Sequence, residues 1–438
     1  MRLAQLFRWS LIGLGAVLLL NACGQPKTDA NEVPPLVFVP GLGMSALHVE
    51  VDTPGSPPTE FNFLLPSMNP PEMLPSPATS ARQYATLSGL PPSQFDSVHY
   101  WLGLDISPQG SASNRPGVSL APVSFGKDFA AECPRYMPLA QDLETQGWVL
   151  NNTLYCAPFD YRYAPGGNTF ASDFKGLVDQ AVRDGGGNKV VVACHSQGCL
   201  MAYHAIRTLD QGWVKSHISL LFGLAGQFSG CSDCLRWAFQ DGWSWNPNDE
   251  LAATIDPTWV GELALGLQTE TYGQNILYRN GSSEYRAHDA QDLLNDGGAA
   301  AMAQATSIYS LSQQSWFQRG QIGSAPLAVP SRFVFGTGLA TTVGYDFSTV
   351  PVDGQACPAP SCSGSFSQSD PTAIQADGDA GDSNWMNSAP SVWTTDPACD
   401  LRGLAGVTHM GIIADEDAIG LLASGARAAL LGEPLCVS

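Results

Sequence analysis

The sequence predicts an α/β protein with a mostly parallel central sheet and helices on both of its faces. Three observations carry this. From Met137 to Ile206, strand-like apolar runs alternate with segments of helical period, the pattern of βαβ units. Val190 to Ala193 are apolar at successive positions, as a strand covered on both faces must be. Leu200, Met201, Tyr203, His204 and Ile206 then follow at helical spacing, so Ser196 sits at a sharp strand-to-helix corner.

Taken in order, the chain opens with a targeting segment. MRLAQLFRWS has Arg2 and Arg8 and no acid, LIGLGAVLLL is an apolar run too short to span a bilayer comfortably, and LNAC follows. Residues 1–22 resemble a bacterial lipoprotein signal peptide, with cleavage before Cys23 and acylation of Cys23. Gly24 in place of an aspartate implies export to the outer membrane of the cell envelope. Loss of residues 1–22 takes Arg2 and Arg8 from 20 basic residues set against 40 acidic ones, moving the net charge from −20 to −22. That balance argues against nucleic acid as a partner and against a basic patch for anionic membranes. Membrane contact then falls to the anchor and to apolar surface.

Residues 23–32 read as a linker and 33–438 as one domain, with 44% hydrophobic residues to build its core. Leu36 to Val39 is the first strand, and Pro40-Gly41-Leu42-Gly43 follows it as a turn whose glycines free backbone N–H groups. Residues 53 to 98 are rich in proline and serine without periodicity and read as a surface excursion, in an insert that runs to 115. Leu139 and Leu143 mark a helix, Thr153 to Ala157 a strand, and Phe170, Phe174, Leu177, Val178, Ala181 and Val182 the apolar face of a second helix. At the corner, Cys194-His195-Ser196-Gln197-Gly198 is a variant of Gly-x-Ser-x-Gly, in which small residues let strand and helix approach closely. Cys194 replaces the first glycine. Ser196 is thus a candidate nucleophile, and a capping serine is the alternative reading of this segment alone.

Of eleven cysteines, Cys23 is the acylation candidate, and Cys194 and Cys199 flank Ser196 too closely to pair easily. Cys133, Cys156, Cys231, Cys234, Cys357, Cys362, Cys399 and Cys436 are expected in disulfides, given export. Cys231-Ser-Asp-Cys234 has no second pair at ligand spacing, so a disulfide is expected there and not a metal.

Several separated segments together resemble the lecithin:cholesterol acyltransferase family. They are LVFVPGLGMSALHVEVD from Leu36, RPGVSLAPVSFGK from Arg115, GWVLNNTLYCAPFDYRYAP from Gly147, ACHSQGC, RNGSSEYRAHDAQDLL from Arg279, FVFGTGLATTVGYDF from Phe333, ADGDAGDSNW and VTHMGIIAD. Pro158-Phe159-Asp160-Tyr161-Arg162 and the Gly336-Thr337-Gly338 strand exit are more distinctive than the serine motif. The departures are Cys194 at the elbow, an irregular acid loop, and no cysteine pair bracing a lid near the N-terminus. The resemblance implies an α/β-hydrolase fold with a triad in the chain order Ser, Asp, His, and oxyanion donors at the amides of Leu42 and Gln197.

Of the seven histidines, only His409 lies late enough, in a loop before the last helix, to serve as the base. Asp160 and Arg162 read as a structural pair. The family's acid motif is Asp-Gly-Asp-Gly-Thr-Val with the second aspartate catalytic, and ungapped alignment gives Asp379, preferred here over Asp382. Residues 231–325 occupy the place of a cap or lid, where Trp237, Trp243 and Trp245 suit a lipid interface or a packed mini-core about equally. The expected function is therefore a serine-dependent acyl hydrolase or O-acyltransferase cleaving phospholipid acyl esters through an acyl-enzyme, with water or a lipid alcohol as acceptor. No cofactor or metal is implied. A triacylglycerol lipase or generic carboxylesterase is the alternative within enzymes, and a non-catalytic envelope lipoprotein the alternative outside them.

Overall fold

The computed structural model describes residues 32–52, 57–65, 98–228, 230–237, 258–266, 272–309, 327–347, 372–381 and 400–435. The lipoprotein segment with Cys23, and Cys357, Cys362, Cys399, Cys436, Asp382, Trp243 and Trp245, lie outside them. The central sheet is built from the strands β1 (Leu36–Val39), β2 (Leu154–Cys156), β3 (Val190–His195), β4 (Ile218–Leu224), β5 (Ser331–Thr337) and β6 (Leu401–Ala405). They pair in the order β6-β5-β4-β3-β1-β2, and every pairing is parallel. Parallel neighbours need crossovers, and helices supply most of them.

Alternate residues of each strand feed opposite faces of this sheet. Val37, Val39, Val190, Val192 and Cys194 join one buried cluster with Phe174, Leu177 and Val178 of α2 (Phe170–Asp184) and Leu200, Met201 and Ile206 of α3 (Gln197–Thr208), where α1 is Met137–Thr145. Leu36, Phe38, Val191, Ala193 and Phe222 join the other with Leu139 and Leu143 of α1 and Ile419, Leu422 and Ala426 of α4 (Glu416–Leu431). Helices thus cover both faces, as the uninterrupted apolar run of β3 requires. Truncating a fully buried Phe38 to alanine would cost about 3–5 kcal/mol. The α4 helix starts on Asp415, whose side chain accepts the Ala418 N–H, and stops at Gly432 in the left-handed region.

The helix Gln211–His217 leads directly into β4 at Ile218. One local expectation changes. The excursion after Val51 is not wholly surface: Thr59–Phe63 pairs antiparallel with Leu47–Val51, which also pairs with Val118–Pro122, and Trp101 is fully buried against Phe61 and Phe63. Aromatic burial, invisible to a periodicity count in a proline-rich stretch, holds it down. Among the described residues, no helix is long and apolar enough to cross a membrane.

Candidate active site

Ser196 follows β3 directly and adopts φ 55°, ψ −131°, a conformation that non-glycine residues rarely take. The chain can turn this tightly because Gly198 has no Cβ: one built there would stand 2.1 Å from the Pro40 carbonyl oxygen. The turn at Pro40–Gly43 packs from the other side, where a Cβ on Gly41 would lie 3.0 Å from that of Ser196. Gln197 opens α3, and a first-turn amide of a helix has no intrahelical acceptor. Its side chain reaches the carbonyl of Gly261 at 3.2 Å, in the inserted helix Val260–Leu263.

Cys194 and Cys199 form a disulfide across this elbow, with Cα atoms 4.9 Å apart. This overturns the expectation that they stand too close to pair. The sharp reversal at Ser196 brings the last turn of strand and the first turn of helix face to face, so a separation of five residues is enough. Cys133–Cys156 and Cys231–Cys234 are also bonded, which removes the latter as thiolate ligands. The three disulfides among the described residues fit an exported chain.

His409 lies between β6 and α4. Its Nδ1 is 3.3 Å from Oδ2 of Asp379, and its backbone N–H donates to the Asp379 carbonyl at 2.8 Å. Asp379 is fully buried just beyond the strand Thr372–Gly378, and its Oδ1 accepts the Gly381 N–H at 2.9 Å. That strand belongs to a side sheet paired with Leu339–Asp346, so the acid reaches the site on a hairpin that leaves β5. Gly381 permits the approach, since a Cβ there would come within 2.6 Å of the His409 Cβ.

The Ser196 hydroxyl donates to Oε1 of Gln227 at 3.2 Å, just past β4. Sequence reasoning missed Gln227, although its place beyond a strand's C-terminal end is where ligands of parallel sheets gather. It also set His195 aside. That ring is fully buried, with Nε2 3.0 Å from the His409 carbonyl and Nδ1 2.9 Å from the Tyr136 hydroxyl. Nε2 must donate to a carbonyl, so Nδ1 accepts from Tyr136, whose oxygen accepts the Gly41 N–H at 2.7 Å. Burial, helped by the neighbouring His409, lowers the His195 pKa to about 3 and keeps the ring neutral.

Asp160 and Arg162 form a buried pair with Oδ2 and Nη2 2.6 Å apart, and Arg162 also reaches Asn114 and the Trp101 carbonyl. Among the described residues, His48, Glu50 and Glu60 could hold a cation, but they lie on the small antiparallel sheet, as does a cavity of about 570 Å³ between residues 50–52, 58–60 and 117–119. Neither shares a residue with the Ser196 cluster.

A model described as lecithin:cholesterol acyltransferase matches residues 125–242, which hold β2, β3, β4 and Ser196 but not Asp379 or His409. Phosphatidylcholine-sterol acyltransferase of Rattus norvegicus is 30% identical over 135 residues, 29% of this chain and 30% of that protein. Lysosomal phospholipase A and acyltransferase of Canis lupus familiaris is 24% identical over 239 residues, 51% of this chain and 54% of that one. The chain thus spans between about a third and a half of the relatives it matches. A crystal structure of a Tle4–Tli4 complex covers 91% of this chain and 97% of its own at a TM-score of 0.51 and 11% identity, a likeness of fold alone. The chain therefore has an α/β-hydrolase fold, and its segment 125–242, with the elbow at its centre, is similar to the lecithin:cholesterol acyltransferases.

Proposed function

We propose that this protein is a serine-dependent lipid acyl hydrolase with acyltransferase capacity, acting on phospholipid acyl esters through an acyl-enzyme on Ser196. One observation carries the reading: a serine held at positive φ between β3 and α3, whose neighbour His195 contacts the backbone of a histidine that faces a buried carboxylate through Nδ1. In the reaction, the Ser196 hydroxyl leaves Gln227, gives its proton to Nε2 of His409 and attacks the acyl carbonyl. Asp379 accepts from Nδ1–H and stabilises the imidazolium. The amides of Leu42 and Gln197 collect the oxyanion, Gly41 being committed to Tyr136. The imidazolium then protonates the leaving alcohol, and water or a lipid alcohol, deprotonated in turn by His409, releases the acyl group.

The names of the relatives support a phospholipid donor and two acceptors, a sterol and water. We assign hydrolysis as the main outcome, because a bacterial envelope, where the N-terminal segment would place the enzyme, usually lacks a sterol to accept the acyl group. Acylation at Cys23 would hold the enzyme at the envelope, next to that donor. The test is labelling by a fluorophosphonate, followed by incubation with labelled phosphatidylcholine vesicles with and without sterol. Labelling lost in Ser196→Ala, with free fatty acid exceeding ester, is the expected result. Folded wild type that takes no label would transfer the case to a non-catalytic lipoprotein, and cleavage of short esters alone to a carboxylesterase.

A further inference from the structure

We propose that the Cys194–Cys199 disulfide is a positioning device for Ser196, a covalent replacement for the elbow glycine that fixes where the hydroxyl stands. It rests on the reading of Ser196 as the nucleophile. Both cysteines are fully buried, one at the end of β3 and one in the first turn of α3, and the chain between them is the elbow itself. The crossing is crowded on every side. Gly198 has no room for a Cβ, and the Cβ of Cys199 lies 3.1 Å from where Gly226 would carry one. Cys199 Sγ stands 3.6 Å from the corresponding point at Gly223, and Cys194 Sγ 3.6 Å from the Phe222 carbonyl.

A side chain at position 194 fits here because its sulfur is bonded to its neighbour and so sits well inside non-bonded contact distance. Reduction by a dithiol would add two electrons and two protons to the pair, break the S–S bond and leave the dithiol as its own cyclic disulfide. The two thiols then need more space than the bonded pair. Phe222, Gly223 and Gly226 close the sheet side, so the displacement falls on the loop that joins the cysteines. That loop is His195 to Gly198 and holds Ser196 and Gln197, the nucleophile and one oxyanion amide. A misplacement of about 1 Å at a reacting group can cost roughly a hundredfold in rate. Cys194→Gly should escape this, because it restores the glycine of the usual elbow and leaves Cys199 without a neighbour to repel.

The experiment compares full-length wild type and Cys194→Gly, each refolded from urea with and without excess dithiothreitol, with thiols counted by alkylation and mass. The readout is the second-order rate of fluorophosphonate labelling at Ser196, alongside near-ultraviolet circular dichroism. Reduced wild type should label about tenfold or more slowly than oxidised, and Cys194→Gly should change less than about twofold between the two states. Because the variant loses the other disulfides under the same treatment, it isolates the elbow pair. Should reductant unfold both, oxidised Cys199→Ala is compared with and without Cys194→Gly, and restoration of the rate by the glycine is expected. Equal rates for oxidised and reduced wild type, or no restoration by the glycine, would overturn the inference while leaving the hydrolase reading intact. Wild type that never labels would withdraw both.

Discussion

Asparagine in place of Asp379 separates the orienting role of the acid from its role in packing. The carboxylate is fully buried, takes the Gly381 N–H on Oδ1 at 2.9 Å and faces His409 Nδ1 with Oδ2 at 3.3 Å. Asparagine has nearly the same shape, so two amide orientations compete. One keeps the Gly381 bond and points the NH₂ at His409, which must then carry its proton on Nε2, the wrong tautomer for a base. The other keeps the ring tautomer but sets a donor against the Gly381 N–H, stranding a buried group at about 1–3 kcal/mol. The first orientation therefore dominates by roughly ten- to a hundredfold. That tautomer preference alone costs about ten- to a hundredfold, and loss of the charge that stabilises the imidazolium adds to it, so turnover on phosphatidylcholine should fall toward the roughly 10⁴ of a well-studied triad, with fluorophosphonate labelling of Ser196 slowing in parallel. The fold should lose less than about 1 kcal/mol, since the Gly381 bond survives. Retention of more than a tenth of wild-type turnover would refute the assignment and move the acid to Asp382.

Gly198→Ala should fail to give labelled protein, because its Cβ meets two backbone oxygens at 2.1 and 2.5 Å, whereas Gly176→Ala in α2, with nothing nearby, should raise stability by about 0.5–1 kcal/mol in urea titrations. Asp160→Ala leaves the Arg162 guanidinium buried without its partner and should cost about 3–5 kcal/mol, while Asp160→Ala/Arg162→Met should cost less than that single change; the reverse order would deny the pair its structural role. For pH, His195 is neutral in the fold down to about 3 but takes a proton near its ordinary value of 6.5 when unfolded. The unfolded chain then binds more protons, so stability should be intact above that value and fall by about 1.4 kcal/mol per pH unit as acid is added, down to the folded pKa. Urea midpoints flat between pH 6 and pH 4 would contradict it.

The sheet was legible because β1 and β3 are buried on both faces and must be apolar throughout. Helices α1 and α2 were legible because each buries one side only, so that Leu139 and Leu143, or Phe174, Leu177 and Val178, fall at helical spacing. The packed excursion was not, because Trp101, Phe61 and Phe63 meet across some forty residues of sequence and follow no period. At the site, the serine corner and His409 could be found by motif and by elimination, and Asp379 by its place in Asp-Gly-Asp; contact with His409 now accompanies that preference. The Cys194–Cys199 bond was misjudged for a geometric reason: sequence distance says little about Cα distance where the chain reverses at positive φ. Tyr136 and Gln227 carried no local signal, since each acts through one hydroxyl or amide aimed at a residue far away in the chain.

The buried chain through His195 links two halves of the site. Gly41 donates to Tyr136, Tyr136 to His195, and His195 to the carbonyl of His409, so the turn after β1 and the loop after β6 are held by one ring. The ring must be neutral for this to work. Protonated at Nδ1, it would face the Tyr136 hydroxyl with a second donor, and Tyr136, already accepting from Gly41, would have to turn its proton away into a buried space. Burial that depresses the His195 pKa therefore also preserves the register between the Leu42 amide and His409. The same desolvation that makes the fold sensitive to acid keeps the proposed oxyanion donor and the proposed base aligned at neutral pH.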